Sequence, residues 1–153
     1  MVAAYYKYKK ESINLKFNSA KDTLKLMQGA IREYKVSNSI YIKRAIIGYF
    51  QDFSEYIIDM AETYLVMTEN YVDGYSGMEL IKKSNLYGFI DDDLAKFLLV
   101  VVKLRNRYTH DYYKRDRVEV DILNYAISKM NLLEIFLKVT EEKVRLDAKN
   151  INN

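Results

Sequence analysis

The chain has 153 residues, 50% of them hydrophobic and 29% charged, with a formal net charge of +3 at pH 7. That is enough chain to bury one compact core, and it is too apolar for an intrinsically disordered segment. The absence of cysteine excludes disulfides, thiolate metal sites and a cysteine nucleophile, while so small a positive charge neither requires nor excludes a nucleic-acid partner.

The longest strictly apolar run, Phe97 to Val102, is far too short to cross a bilayer. The N-terminus carries no apolar core followed by a cleavage site, so cytoplasmic residence without a membrane partner is the expectation. Fifteen tyrosines beside no tryptophan and no proline can reflect genome composition, and no function is attached to them.

Taken in chain order, the first ten residues are expected to form a flexible extension. Their segment YYKYKK mixes rings and charge as single-strand binders do, but a frayed terminus is the preferred reading. Ile13, Phe17, Ala20, Leu24, Met27, Ile31 and Tyr34 recur at steps of four and three, which predicts a helix over residues 11–36. After Ser37-Asn38-Ser39 the same spacing returns in Ile46, Phe50, Phe53, Ile57, Met60, Ala61 and Tyr64, predicting a second helix over 40–71.

Asp73 to Gly77 reads as a turn and residues 77–87 as a short helix. Gly88 suits the left-handed position after that helix. Asp91-Asp92-Asp93 opens a further helix running to about Tyr113, where carboxylates cap free amides and complement the dipole; a two-metal carboxylate site is the alternative for this triplet. A last helix over 116–146 carries Ile122, Leu123, Ala126, Ile127, Met130, Leu133 and Leu137 inward. Four long amphipathic helices and one short one, joined by short turns, predict a single all-α domain built as an up-and-down bundle.

The helix after the Asp triplet holds the chemistry. Its inward stripe of Leu94, Phe97, Leu98, Val101 and Tyr108 includes Arg105, and a guanidinium on such a stripe needs a partner. It can pair with a carboxylate of another helix or reach the rim; it can also serve a site. The chain's one histidine, His110, follows it, and Asn106 lies on the histidine's own helical face, where it could orient the imidazole. Lys103, Arg107, Lys114, Arg115 and Arg117 surround the motif and would suit an RNA backbone, but Asp111 and Asp116 interrupt them and a solvated face fits as well.

Arg105, Asn106, His110 and Tyr112 stand in the sequence RNRYTHDY near the end of a helix that follows a Gly-Phe-Ile-Asp turn. This resembles the motif of the HEPN superfamily, an arginine followed a few residues later by a histidine, and the tyrosine two places after the histidine resembles its HepT-toxin branch. The stretch GYSGMELIKKSNLYGFIDDDLAKFLLVVVKLRNRYTHDYYKRD looks like that branch's short helix, turn, motif helix and following loop, and YFQDFSEYIIDMAETYL looks like its second helix. The likeness spans about residues 11–145 and is most specific in 86–117. Tyr108 and Thr109 depart from it, because the family usually has two apolar residues before the histidine.

The resemblance implies a metal-independent endoribonuclease toxin that needs no cofactor and acts as a homodimer, with both motifs lining one RNA cleft. His110 would then do the acid–base work and Arg105 would hold the phosphate, with Asn106 as a supporting residue. It further implies a minimal nucleotidyltransferase antitoxin that uses ATP to add AMP to Tyr112, with Tyr113 the adjoining phenol. The competing reading is a non-catalytic helical module that binds a nucleotide or a partner nucleotidyltransferase through the same bundle.

Overall fold

Strong apolar periodicity with few interior breaks produces long helices, and a computed structural model shows five of them in the order α1 (Val2–Ser37), α2 (Ile40–Met67), α3 (Gly77–Leu86), α4 (Asp92–His110) and α5 (Arg115–Ile151). It describes the backbone of residues 2–151 and the side chains of residues 11–111 and 113–143. A three-residue 3-10 turn, Tyr112–Lys114, joins α4 to α5. Among the described residues there is no strand.

Helix α1 begins earlier than residue 11. Neither glycine nor proline interrupts residues 2–10, and their backbone continues the helix; their side chains, and with them the reading of YYKYKK, lie outside the described residues. At its other end Asn38 takes φ +52 and donates its N–H to the Tyr34 carbonyl, 2.8 Å, so the chain reverses in two residues. Ser39 then caps α2, its hydroxyl accepting from the Tyr41 N–H at 3.2 Å.

Helix α2 stops at Met67, four residues before its expected end. Glu69 adopts φ +60, its N–H reaches the Val66 carbonyl at 3.2 Å, and the Asn70 N–H reaches Leu65 at 2.8 Å. These are the paired bonds of a Schellman ending, here with glutamate in the place that glycine usually takes. Helix α3 closes in the same way with the expected residue. Gly88 has φ +84, its N–H meets Asn85 at 3.2 Å, and the Phe89 N–H meets Ser84 at 2.8 Å.

The Schellman ending of α3 drives Phe89 and Ile90 inward, leaving them 1% and 4% exposed. Phe89 stacks on Tyr64 with ring centroids 4.4 Å apart and meets Phe136 edge-on at 6.1 Å. Asn85 Nδ2 ties the join by donating to the Ile90 carbonyl and to Asp92 Oδ1, both at 3.0 Å. Asp91 caps α4, its carboxylate accepting from the Leu94 N–H at 2.8 Å. The Asp triplet is therefore a helix start, and no cluster of metal-binding side chains occurs among the described residues.

Helix α2 packs against every other helix, α4 lies against α2, α3 and α5, and α1 against α2 and α5. All seven residues expected on the inner face of α2 are buried, joined by Ile47 and Leu65. On α1 and α5 the expected faces are buried apart from Phe17, Tyr34, Ile127 and Met130, which pack at the margin; Val118 and Phe136 add to the α5 face. The backbone of α5 is non-helical at Lys129 (φ −121, ψ 17), one residue after Ser128, whose hydroxyl donates to the Asn124 carbonyl at 2.8 Å. Arg44 of α2 reaches the buried Glu119 of α5 at 2.8 Å, off the line of its N–H, so this contact is an ion pair rather than an aligned hydrogen bond. No helix is long and apolar enough to cross a membrane among the described residues.

Candidate active site

The stripe of α4 seats its C-terminal half. Leu94, Ala95, Phe97, Leu98, Val101, Val102 and Leu104 are buried between α2, α3 and α5, which fixes the rotation of the residues that follow. Phe97 stacks on Tyr125 of α5 at 5.4 Å, and the Tyr125 hydroxyl donates to the Phe97 carbonyl at 3.3 Å. Burial raises the pKa of that phenol, which keeps it a protonated donor.

Arg105 follows the same stripe but lies where the bundle opens to solvent, its side chain 28% exposed. The partner it requires is Glu55 of α2. Nε of Arg105 donates to Glu55 Oε1 at 2.6 Å, Nη2 meets the same oxygen, and Nη1 donates to Asn106 Oδ1 at 2.9 Å. Glu55 is 50% exposed, so the pair contributes about 0–1 kcal/mol to stability. What it sets is the direction of the guanidinium.

Sequence reasoning required a partner for Arg105 and left a carboxylate of another helix as one of its readings, without finding which one. Helix α2 offers Asp52, Glu55, Asp59 and Glu62, and periodicity cannot choose among them. Asn106 also differs from expectation. Its side-chain oxygen accepts from Arg105, and His110 has no hydrogen-bond partner among the described residues.

His110 is exposed as the last residue of α4. Five residues of helix place it about 7.5 Å along the axis from Arg105 and about 140° around it, with Asn106 on the arc between them. Thr109 donates its hydroxyl to the Arg105 carbonyl at 3.0 Å, within the helix. The two residues that depart from the family pattern, Tyr108 and Thr109, are therefore accommodated at the rim, and Tyr108 carries the Arg115 guanidinium 4.8 Å above its ring.

The other cations differ in their freedom. Arg107 Nη1 pairs with Asp121 of α5 at 3.1 Å, and Lys114 lies 5.4 Å above the Tyr113 ring. Lys103, Lys114, Arg115 and Arg117 are all exposed. Helix α4 ends three residues short of Tyr113 because Asp111 leaves helical geometry at ψ 46, and the Lys114 N–H then closes the 3-10 turn on the Asp111 carbonyl at 2.8 Å. Tyr112 opens that turn two residues after His110; its side chain lies outside the described residues. Tyr113 is 71% exposed.

An anchored guanidinium and an exposed imidazole at one end of a bundle can grip an anion and move a proton, respectively. The architecture has solved counterparts. The chain superposes on a tri-AMPylated Shewanella oneidensis HEPN toxin in complex with MNT antitoxin with a TM-score of 0.73, covering 85% of this chain and 96% of that one at 20% identity. The fold is that of the HEPN toxins.

A toxin–antitoxin structure with AMP-PNP shares this HEPN fold at a TM-score of 0.71 and 20% identity, over 84% of this chain and 96% of its own. A mutant of the MntA-HpeT toxin–antitoxin matches at 0.69 and 20% identity, over 85% and 97% of the two chains. No protein-family model matches the sequence, and no curated protein does. The likeness to HEPN toxins is thus one of architecture.

Proposed function

We propose that this chain is the ribonuclease toxin of a toxin–antitoxin pair, cutting RNA without metal at a site shared between two copies of itself. The observation that carries this reading is Arg105, held at a partly open edge by Glu55 and Asn106 and five residues from an exposed His110, on a fold that HEPN toxins share.

In the proposed reaction an imidazole takes the proton of a ribose 2′-hydroxyl as that oxygen attacks the adjacent phosphorus. A second proton donor protonates the departing 5′-oxygen, leaving a 2′,3′-cyclic phosphate. One chain has one histidine, so a two-fold dimer that brings two copies of α4 together supplies both groups. Arg105 neutralises charge on the non-bridging oxygens, and Lys103, Arg107, Lys114 and Arg115 line the path of the backbone. Arg107 would exchange Asp121 for phosphate in doing so.

The HEPN toxin of Shewanella oneidensis is tri-AMPylated and bound to MNT antitoxin. By analogy, a nucleotidyltransferase antitoxin would place AMP on Tyr112. The modified residue would add a phosphodiester in the motif segment and a nucleoside in the cleft, displacing RNA. The deciding experiment incubates purified protein with RNA in chelator beside a His110→Ala control. Cleavage by the first alone, ending in cyclic phosphate, supports the enzyme; equal cleavage by both, or none by either, leaves a helical binding module.

A further inference from the structure

Arginine carries five N–H donors in a flat fork, one on Nε and two on each terminal nitrogen. In this chain Nε donates to Glu55 and Nη1 donates to Asn106, while Nη2 lies against the same Glu55 oxygen as an ion-pair contact, which leaves N–H groups on both terminal nitrogens for another acceptor. A single carboxylate oxygen makes both contacts to the inner edge of the fork, so its remaining capacity is directed away from α2. The pair is too exposed to matter much for stability, and its geometric effect is the larger one.

We infer that Glu55 is a positioning residue of the active site, holding the Arg105 guanidinium by its inner edge so that the two outer N–H groups face the RNA phosphate. The inference rests on the ribonuclease reading for the identity of the anion. Glu55 does not touch RNA and moves no proton; it removes the freedom of a long side chain that would otherwise have to be ordered during the reaction.

Because one oxygen accepts from Nε and lies against Nη2, glutamine can make the same two contacts without the charge, whereas alanine can make neither. The test measures cleavage by wild type, Glu55→Ala, Glu55→Gln and Asp52→Ala, the last removing an exposed carboxylate elsewhere on α2. The Ala variant is expected to lose about ten- to a hundredfold in kcat with KM near wild type, the usual effect of a misplaced group. Gln should restore most of the rate, Asp52→Ala should keep it, and all four should melt together.

A Glu55→Ala variant that cleaves at the wild-type rate overturns the inference, and so does a Gln variant no better than Ala. If wild type itself leaves RNA intact, the ribonuclease reading fails separately. Glu55 is then judged on binding of an RNA-sequence oligonucleotide with 2′-deoxy sugars. Weaker binding by Ala but not by Gln sustains the positioning role, and equal binding by all three removes it.

Discussion

Truncating Phe89 to alanine tests whether the turn before α4 is an anchor or only a connection. The side chain is 1% exposed, stacked on Tyr64 at 4.4 Å and edge-on to Phe136 at 6.1 Å, so its removal opens a cavity between residues of α2 and α5. Core Phe→Ala changes cost about 3–5 kcal/mol, and the upper half applies here because two aromatic contacts are lost with the buried area. Domain stabilities are about 5–15 kcal/mol, so a variant of a domain in the middle of that range should fold, and its urea midpoint should fall with an unchanged m-value. Leu86→Ala is the control: three residues away but 66% exposed, it should shift stability by less than about 0.5 kcal/mol. Amide exchange should rise first around Ile90 to Leu94, where the turn hands over to the cap of α4. A loss below about 1 kcal/mol for Phe89→Ala would refute the reasoning, since it would mean that the pocket around the ring collapses freely or is not formed.

Gly48 sits exposed in the middle of α2 with open space where a Cβ would go, so Gly48→Ala should raise stability by about 1 kcal/mol in chemical denaturation. His110→Ala should lower the cleavage rate by about two to four orders of magnitude while leaving the melting temperature alone, because the residue is exposed and has no hydrogen-bond partner among the described residues. Arg105→Ala should lose a comparable factor, and Arg105→Lys should regain only part of it, since an ammonium cannot use Glu55 and Asn106 together as the fork does. Tyr112→Phe should keep much of the nuclease activity while abolishing acceptance of AMP from the partner nucleotidyltransferase, read by intact mass; modification that persists at Tyr113 would move the acceptor by one residue.

The sequence alone determined what is local. Steps of three and four set the inner faces of α1, α2, α4 and α5, because a helix of fixed pitch converts spacing into direction whatever it packs against. Gly88 and Asp91 could be read as the end of one helix and the start of the next, since a left-handed residue and a capping carboxylate act on their own backbone. Glu69 could not, for it ends α2 with the same bonds but in a residue that seldom takes that conformation. The RNRYTHDY segment could be singled out, and the need of Arg105 for a partner followed from its place on an apolar stripe. Tertiary structure decided that the partner is the carboxylate of Glu55, fifty residues away on α2, and gave the Asn106 side-chain oxygen to the guanidinium. Such choices depend on how two helices are rotated and spaced against each other. That is set by the packing of the whole core, and no spacing within a single helix contains it.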